Sequence, residues 1–267
     1  MKGKFLIAGN DKKMSECQKR LMLSGFEAKC EAGEAFFKAL PMYDYIILPL
    51  PTVANGTVAN TGKTVRELKE ALNAAQKVFF GNIPLDSFDE NGRSYYYDEA
   101  FLIKNSRLTA QGVLRVILEN TQKDLTSLKV AVCGFGRCGK AICRLLKGCG
   151  LNVTAFLRRR EAAVLAESFG CKALHTAEID EKISSYDIIV NTVPFNIMNE
   201  KSLEKLTRDN LYIEVASKPY GFDISKADVY NFEYALAESL PGRFAPVSAG
   251  VNIADTVLEI LKEGNYG

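Results

Sequence analysis

Gly134, Gly136 and Gly139 stand in the spacing Gly-x-Gly-x-x-Gly, directly after the apolar run KVAVC and directly before a run with helical spacing. That arrangement can cradle a pyrophosphate. The first glycine permits a tight turn, the second lets the backbone approach the phosphates, and the third lets helix and strand pack closely. The helix's first N–H groups then face the anion. The turn as a whole, Gly134, Phe135, Gly136, Arg137, Cys138 and Gly139, is the predicted dinucleotide site. The next apolar run ends near Phe156, where an acid would bond the ribose 2′-hydroxyl of NAD. Arg158, Arg159 and Arg160 follow instead. A guanidinium matches phosphate oxygens in a planar fork. The pattern therefore predicts NADP(H), with Arg158 and Arg159 at the 2′-phosphate. NAD stays open, because Glu161 could serve the ribose after a small register shift, with the arginines as a solvated loop.

Further candidates follow predicted strands, whose carboxyl ends border the ligand crevice of such a sheet. Thr192, Val193 and Pro194 end one strand, and Ala216, Ser217 and Lys218 end the next; the first five are expected along the cofactor's ribose and nicotinamide. Lys218 is either a ligand for a substrate carboxylate or an ordinary surface lysine. Arg243 and Ser248 follow the last strand and are expected near the nicotinamide. Asn105, Ser106 and Thr109 open a predicted helix, where they either donate to a second substrate carboxylate or cap the helix. Lys218 and Thr109 are the predicted catalytic pair. The single histidine, His175, falls on the adenine side, so a structural or rim role is expected. No Ser/His/Asp hydrolase set can be assembled. The seven cysteines are an odd, scattered set without a Cys-x-x-Cys pair, which argues for reduced thiols in a cytoplasm and against a metal site.

Alternating strand and helix signals position these residues. In the first part, KFLIAG (4–9), YDYIILPLP (43–51), KVFFG (77–81) and DEAFLIKN (98–105) read as strands, and 14–26 and 64–75 as helices. A helix over 108–121 and the polar link QKDLTS then mark the domain boundary. Six strand-like runs follow, at 129–133, 152–156, 172–175, 186–194, 210–216 and 231–238. The prediction is a two-domain α/β protein. Residues 1–121 form a smaller flavodoxin-like substrate or partner domain, and residues 122–248 form a Rossmann domain. By analogy with two-domain dehydrogenases, the helix 249–261 returns toward the first domain. The 267 residues carry 34 basic and 32 acidic side chains, a near balance that suggests neither a nucleic-acid footprint nor a membrane-surface patch. No apolar run approaches the roughly 18–20 residues of a membrane span.

The segments VAVCGFGRCGKAICRLL, ALHTAEI, DIIVNTVPFNIMNEKSLEKL, EVASKPYGFD and LPGRFAPVSAG together resemble the A-subunit family of dipicolinate synthases from spore-forming bacteria. The resemblance is dense over 129–261 and thinner over 1–128. It implies a nicotinamide-dependent dehydrogenase of the mother-cell cytoplasm. Its substrate would be a small cyclic dicarboxylate, a dihydro- or hydroxytetrahydro-dipicolinate, lodged between the two domains. Its partner would be a flavoprotein-like B subunit, and a homo-oligomer is compatible. Family members tend to carry Arg where Lys218 stands and Glu where Gln111 stands, so this chain has no carboxylate base at 111. Two alternatives remain open: a cofactor-binding protein that orders its partner without reacting, and a dehydrogenase of another amino or imino acid.

Overall fold

The structure, a computed structural model, describes residues 3–230 and 232–264. The chain divides into two compact units. One holds the residues up to Asn105 together with those from Ala245 onward, and the other holds Ser106–Phe244.

The first unit is built on a five-stranded parallel sheet. Its strands are β1 (Lys4–Ala8), β2 (Glu27–Glu31), β3 (Tyr45–Ile47), β6 (Lys77–Phe80) and β7 (Gly92–Ser94), in the order β2-β1-β3-β6-β7. A two-stranded hairpin, β4 (Val53–Ala54) and β5 (Thr57–Val58), lies between β3 and β6 in sequence. The sheet order is that of flavodoxin-like folds, so the expected fold class holds. Strand alternation divides the core between the two faces. Leu6, Ala8, Ile46, Val78 and Phe80 pack with Phe36 of α2 (Gly33–Ala39) and Leu68 of α3 (Val65–Ala71). Phe5, Ile7, Ile47 and Phe79 pack with Met14, Cys17 and Leu21 of α1 (Lys12–Leu23). Ile253, Ala254 and Val257 of α10 (Pro246–Glu263) complete that second face. A Cβ on Gly250 would collide with the Lys13 carbonyl, so a glycine lets α10 lie directly on α1. Arg20 Nε donates to Asp255 Oδ1 at 2.6 Å across the same pair.

One predicted strand is corrected. DEAFLIKN is the start of α4, which runs unbroken over Glu99–Asn120. Asp98 sets the helix start, since its Oδ1 accepts from Phe101 N at 2.7 Å and its carbonyl accepts from Leu102 N. A short apolar run is compatible with either structure, and the local cap decides. The contacts divide the chain inside this helix, upstream of the polar link at 122–127 where the sequence suggests a boundary.

The second unit is a six-stranded parallel sheet of β8 (Lys129–Cys133), β9 (Asn152–Leu157), β10 (Lys172–His175), β11 (Ile188–Asn191), β12 (Leu211–Glu214) and β13 (Glu233–Leu236). Its order is β10-β9-β8-β11-β12-β13. That is the doubly wound 3-2-1-4-5-6 arrangement of dinucleotide-binding domains. Position 231, where the last predicted strand begins, lies outside the described residues. Val130, Val132 and Val190 face α5 (Arg137–Gly148) and the second half of α4, through Ile142, Leu146, Val113 and Ile117. α6 (Arg160–Ser168) and α9 (Leu240–Phe244) add Ala166 and Leu240 to that face. Ala131, Cys133, Ile189 and Tyr212 face the other way, toward Ile179 of α7 (Ile179–Lys182) and Leu203 of α8 (Glu200–Leu203). Burial on both faces is why these strands read as continuous apolar runs. Among the described residues no helix is long and apolar enough to cross a membrane.

Candidate functional site

All six strands of the second unit run parallel, so Cys133, Leu157, Asn191 and Glu214 end at one edge of the sheet. The glycine turn lies on that edge. Gly134 N donates to Phe156 O at 2.9 Å, and Gly134 takes φ +96°, a conformation that favours glycine. A Cβ there would also press on Thr192 Oγ1 and Val193 Cγ2. A Cβ on Gly139 would strike the Gly134 carbonyl, so only a hydrogen lets α5 seat on the turn. Gly136 differs from both. It is exposed, its φ is −75°, and a Cβ on it would meet nothing within 4 Å. The protein itself does not need that glycine, but a phosphate brought against the backbone does. The first helical bond, Lys140 N to Gly136 O at 2.9 Å, starts α5 at that point. The positive end of a twelve-residue helix therefore opens over Gly136. These residues fit a dinucleotide, whose pyrophosphate the turn from Gly134 to Gly139 would hold.

The neighbouring turn is held by its own polar groups. Thr192 Oγ1 donates to Cys133 O at 2.8 Å, and Val193 N donates to Asn191 Oδ1 at 3.0 Å. Pro194 and Phe195 beyond them are exposed. At the end of β9, Leu157 is buried while Arg158 and Arg159 are exposed, with Arg159 just ahead of α6. Glu161 lies in the first turn of α6 and is also exposed. His175 Nδ1 accepts from Ala177 N at 3.2 Å and forms a reciprocal cap with Glu178, at the end of β10 two strands from β8.

Asn105, Ser106 and Thr109 are not at a helix start. All three lie inside α4, so neither a cap nor free helix N–H groups can be their contribution. Ser106 and Thr109 are buried, and the Thr109 hydroxyl bonds the Cys138 thiol, beside the glycine turn. Burial pushes that thiol up, with Arg137 and Thr109 opposing. Lys218 and Ser217 are exposed on the loop after β12. Arg243 lies in α9 with its guanidinium 5.0 Å from the Phe244 ring centre, and Arg115 covers the same ring at 4.6 Å. Ser248 lies in the first turn of α10, in the other unit. All seven cysteines are free, and Cys149 at the end of α5 is exposed.

The sequence reading missed a heavily bonded buried acid at this edge. Glu214, with no solvent exposure, lies beside Asn191 in the β11–β12 register. Its Oε1 accepts from Asn191 Nδ2 at 2.8 Å and Ala216 N at 2.9 Å. Its Oε2 accepts from Gly221 N at 2.8 Å, Asn191 Nδ2 at 3.0 Å and Tyr212 OH at 3.2 Å. Burial raises its pKa against the pull of these donors. A visible signal existed, because LYIEVA is an apolar strand and an acid inside such a strand must find partners.

A 3-2-1-4-5-6 sheet with an open glycine turn is the fold of a dinucleotide-binding domain, and a flavodoxin-like α/β unit accompanies it in the same chain. Residues 103–218 match the NAD binding domain of D-isomer specific 2-hydroxyacid dehydrogenases. Along nearly its whole length the chain resembles the A-subunit of dipicolinate synthase. It is 27% identical to that protein of Bacillus subtilis (strain 168), over 97% of this chain and 96% of the relative. The crystal structure of the dipicolinate synthase A chain from Bacillus subtilis superposes with a TM-score of 0.82 at 25% identity, covering 98% of this chain and 97% of that one. The corresponding structure from Bacillus halodurans gives the same TM-score at 21% identity, with 97% of each chain covered.

Proposed function

We propose that this chain is the A-subunit of a dipicolinate synthase. It would oxidise a dihydro- or hydroxytetrahydro-dipicolinate to pyridine-2,6-dicarboxylate during sporulation, in the mother-cell cytoplasm, beside a flavoprotein-like B subunit. The observation that carries the reading is the full-length likeness, which spans both units and not only the cofactor domain. A bound nicotinamide would accept the hydride, while one ring proton leaves to a base and the ring becomes aromatic. The hydroxytetrahydro form first loses water.

The chain's own residues would divide the work. The Gly134–Gly139 turn and the α5 terminus would hold the pyrophosphate. Arg158 and Arg159, with no acid at the end of β9, favour NADP over NAD. Thr192, Val193, Pro194, Ala216 and Ser217 would border the nicotinamide half. Lys218, exposed on the same edge, would pair with a substrate carboxylate, since a carboxylate buried without a partner is costly. Thr109 and Ser106 would act through the packing of α4 at the glycine turn, a change from the donor role expected of a helix start.

A second reading, a cofactor-binding protein that orders its partner without reacting, is favoured by one observation: both oxygens of Glu214, the buried acid at this edge, are already taken. One experiment separates the two. The chain is mixed with its partner, NADP⁺ and dihydrodipicolinate, and absorbance is followed through a single turnover. Stoichiometric NADPH with pyridine dicarboxylate is the expected result. No NADPH from a chain that binds NADP⁺ would overturn the enzyme reading.

A further inference from the structure

Asn191 and Glu214 connect two turns that are far apart in sequence. Asn191 Oδ1 accepts from Val193 N at 3.0 Å, which shapes the turn Thr192–Pro194. Its Nδ2 reaches both Glu214 oxygens, and those oxygens in turn receive Ala216 N and Gly221 N. Glu214 thus fixes both ends of the loop that carries Ser217 and Lys218. Gly221 approaches so closely that a Cβ on it would lie 2.5 Å from Asn191 Nδ2 and would also strike the Tyr212 hydroxyl. Both side chains are fully buried, and four donor groups, Asn191 Nδ2, Ala216 N, Gly221 N and Tyr212 OH, surround the two Glu214 oxygens. Such a group cannot take a proton from a substrate, because no face of it is open.

We propose that Glu214 is a positioning residue: with Asn191 it holds the Thr192–Pro194 turn and the Ala216–Gly221 loop in one fixed relation, and so sets the nicotinamide end of the cofactor site. This rests on the dinucleotide reading of the glycine turn given above. A carboxylate suits the task because it accepts from two backbone N–H groups at once while neighbouring dipoles fill its remaining positions. A glutamine keeps the shape but replaces one acceptor oxygen with a donor, so either Ala216 N or Gly221 N loses its partner. The adenine half of the site, at Gly134–Gly139 and the end of β9, makes none of these bonds.

The test compares two ligands, NADPH and 2′-phospho-ADP-ribose, which lacks the nicotinamide. Their affinities are measured by titration calorimetry for the parent chain and for Glu214→Gln, with circular dichroism and a melting curve as the check of folding. The expected result is an NADPH affinity at least tenfold weaker in the variant, with the fragment affinity unchanged within twofold. A purely structural role would weaken both equally by lowering the folded fraction, and that outcome overturns the proposal, as does no change in either. If Glu214→Gln does not fold, Gly221→Ala is measured instead, because its methyl group pushes on Asn191 and should give the same split. If neither folds, the pair serves the core alone and the proposal falls. A parent chain that binds neither ligand would remove the cofactor reading itself, whereas equal losses in a parent that binds both remove only the positioning role.

Discussion

Gly139 packs against the carbonyl oxygen of Gly134, while Gly136, between them in the same turn, faces open space. Glycines three positions apart therefore differ in what the fold asks of them: packing requires Gly139, and it leaves Gly136 free for the pyrophosphate role proposed above. Gly139→Ala should cost stability, about 1–3 kcal/mol, the usual range for an overpacked interior. Denaturant melts read it directly, and an unchanged midpoint would contradict the packing described.

Gly136→Val should do the reverse. Its side chain enters empty space at a backbone conformation any residue adopts, so the melting temperature should stay within a few degrees of the parent. Cofactor binding should be lost, because the branched side chain occupies the place of the pyrophosphate. Fluorescence titration with NADPH checks this, and normal binding would show that the phosphates lie elsewhere.

Replacing Arg158 and Arg159 together by alanine should weaken NADP⁺ by about tenfold or more, as losing a charge-assisted hydrogen bond does. NAD⁺ should change little, since it has no 2′-phosphate. Equal losses by calorimetry would make the arginines a general anion patch, with Glu161 or another group serving the ribose.

Lys218→Met removes an exposed charge without touching the bonds that Glu214 makes to Ala216 and Gly221. The Michaelis constant for the dihydro-dicarboxylate should rise several-fold, with NADP⁺ affinity nearly unchanged. Thr109→Val should lower the melting temperature, because it breaks the bond to Cys138. If the Lys218 variant turns over substrate like the parent, with the partner protein present, the carboxylate lies elsewhere.

The raised pKa of Glu214 has a definite sign in stability. Its folded value lies above its unfolded one, so the unfolded chain ionises first as pH rises. The contribution is complete below the ordinary glutamate value and is lost as pH rises through the folded value. The stability of the parent relative to Glu214→Gln should therefore decline as pH rises above the ordinary glutamate value, roughly pH 4. Facing groups do not mask this. The phenols of Tyr220 and Tyr234 and the Cys133 thiol are each pushed up to about 12, and Tyr212 is raised by burial. Glu238, bonded to the Tyr220 hydroxyl, is common to both proteins. Melts across that range with a constant difference would contradict the assignment.

The sheets were legible because parallel strands buried on both faces are continuous apolar runs, as in VAVC and DIIVN. The glycine turn was legible because its spacing has a mechanical reason at each position. The start of α4 was not, since AFLI fits a strand or a helix and only the Asp98 cap decides. That error carried Asn105, Ser106 and Thr109 to a helix terminus that lies elsewhere. Glu214 escaped for another reason: its partners are a neighbouring strand and a loop seven residues on, and register is not visible in a linear sequence.

The seam between α1 and α10 bears on how the protein is made. Ile253, Ala254 and Val257 fill one face of the first unit, yet they are synthesised after the whole of the second unit, Ser106–Phe244. On a ribosome the Rossmann sheet has all its strands before the flavodoxin-like sheet has its last covering helix. The part of the chain that emerges first is thus the part finished last. Until α10 arrives, Met14, Cys17 and Leu21 have an apolar flank without its cover, a face for chaperones to shield during that interval.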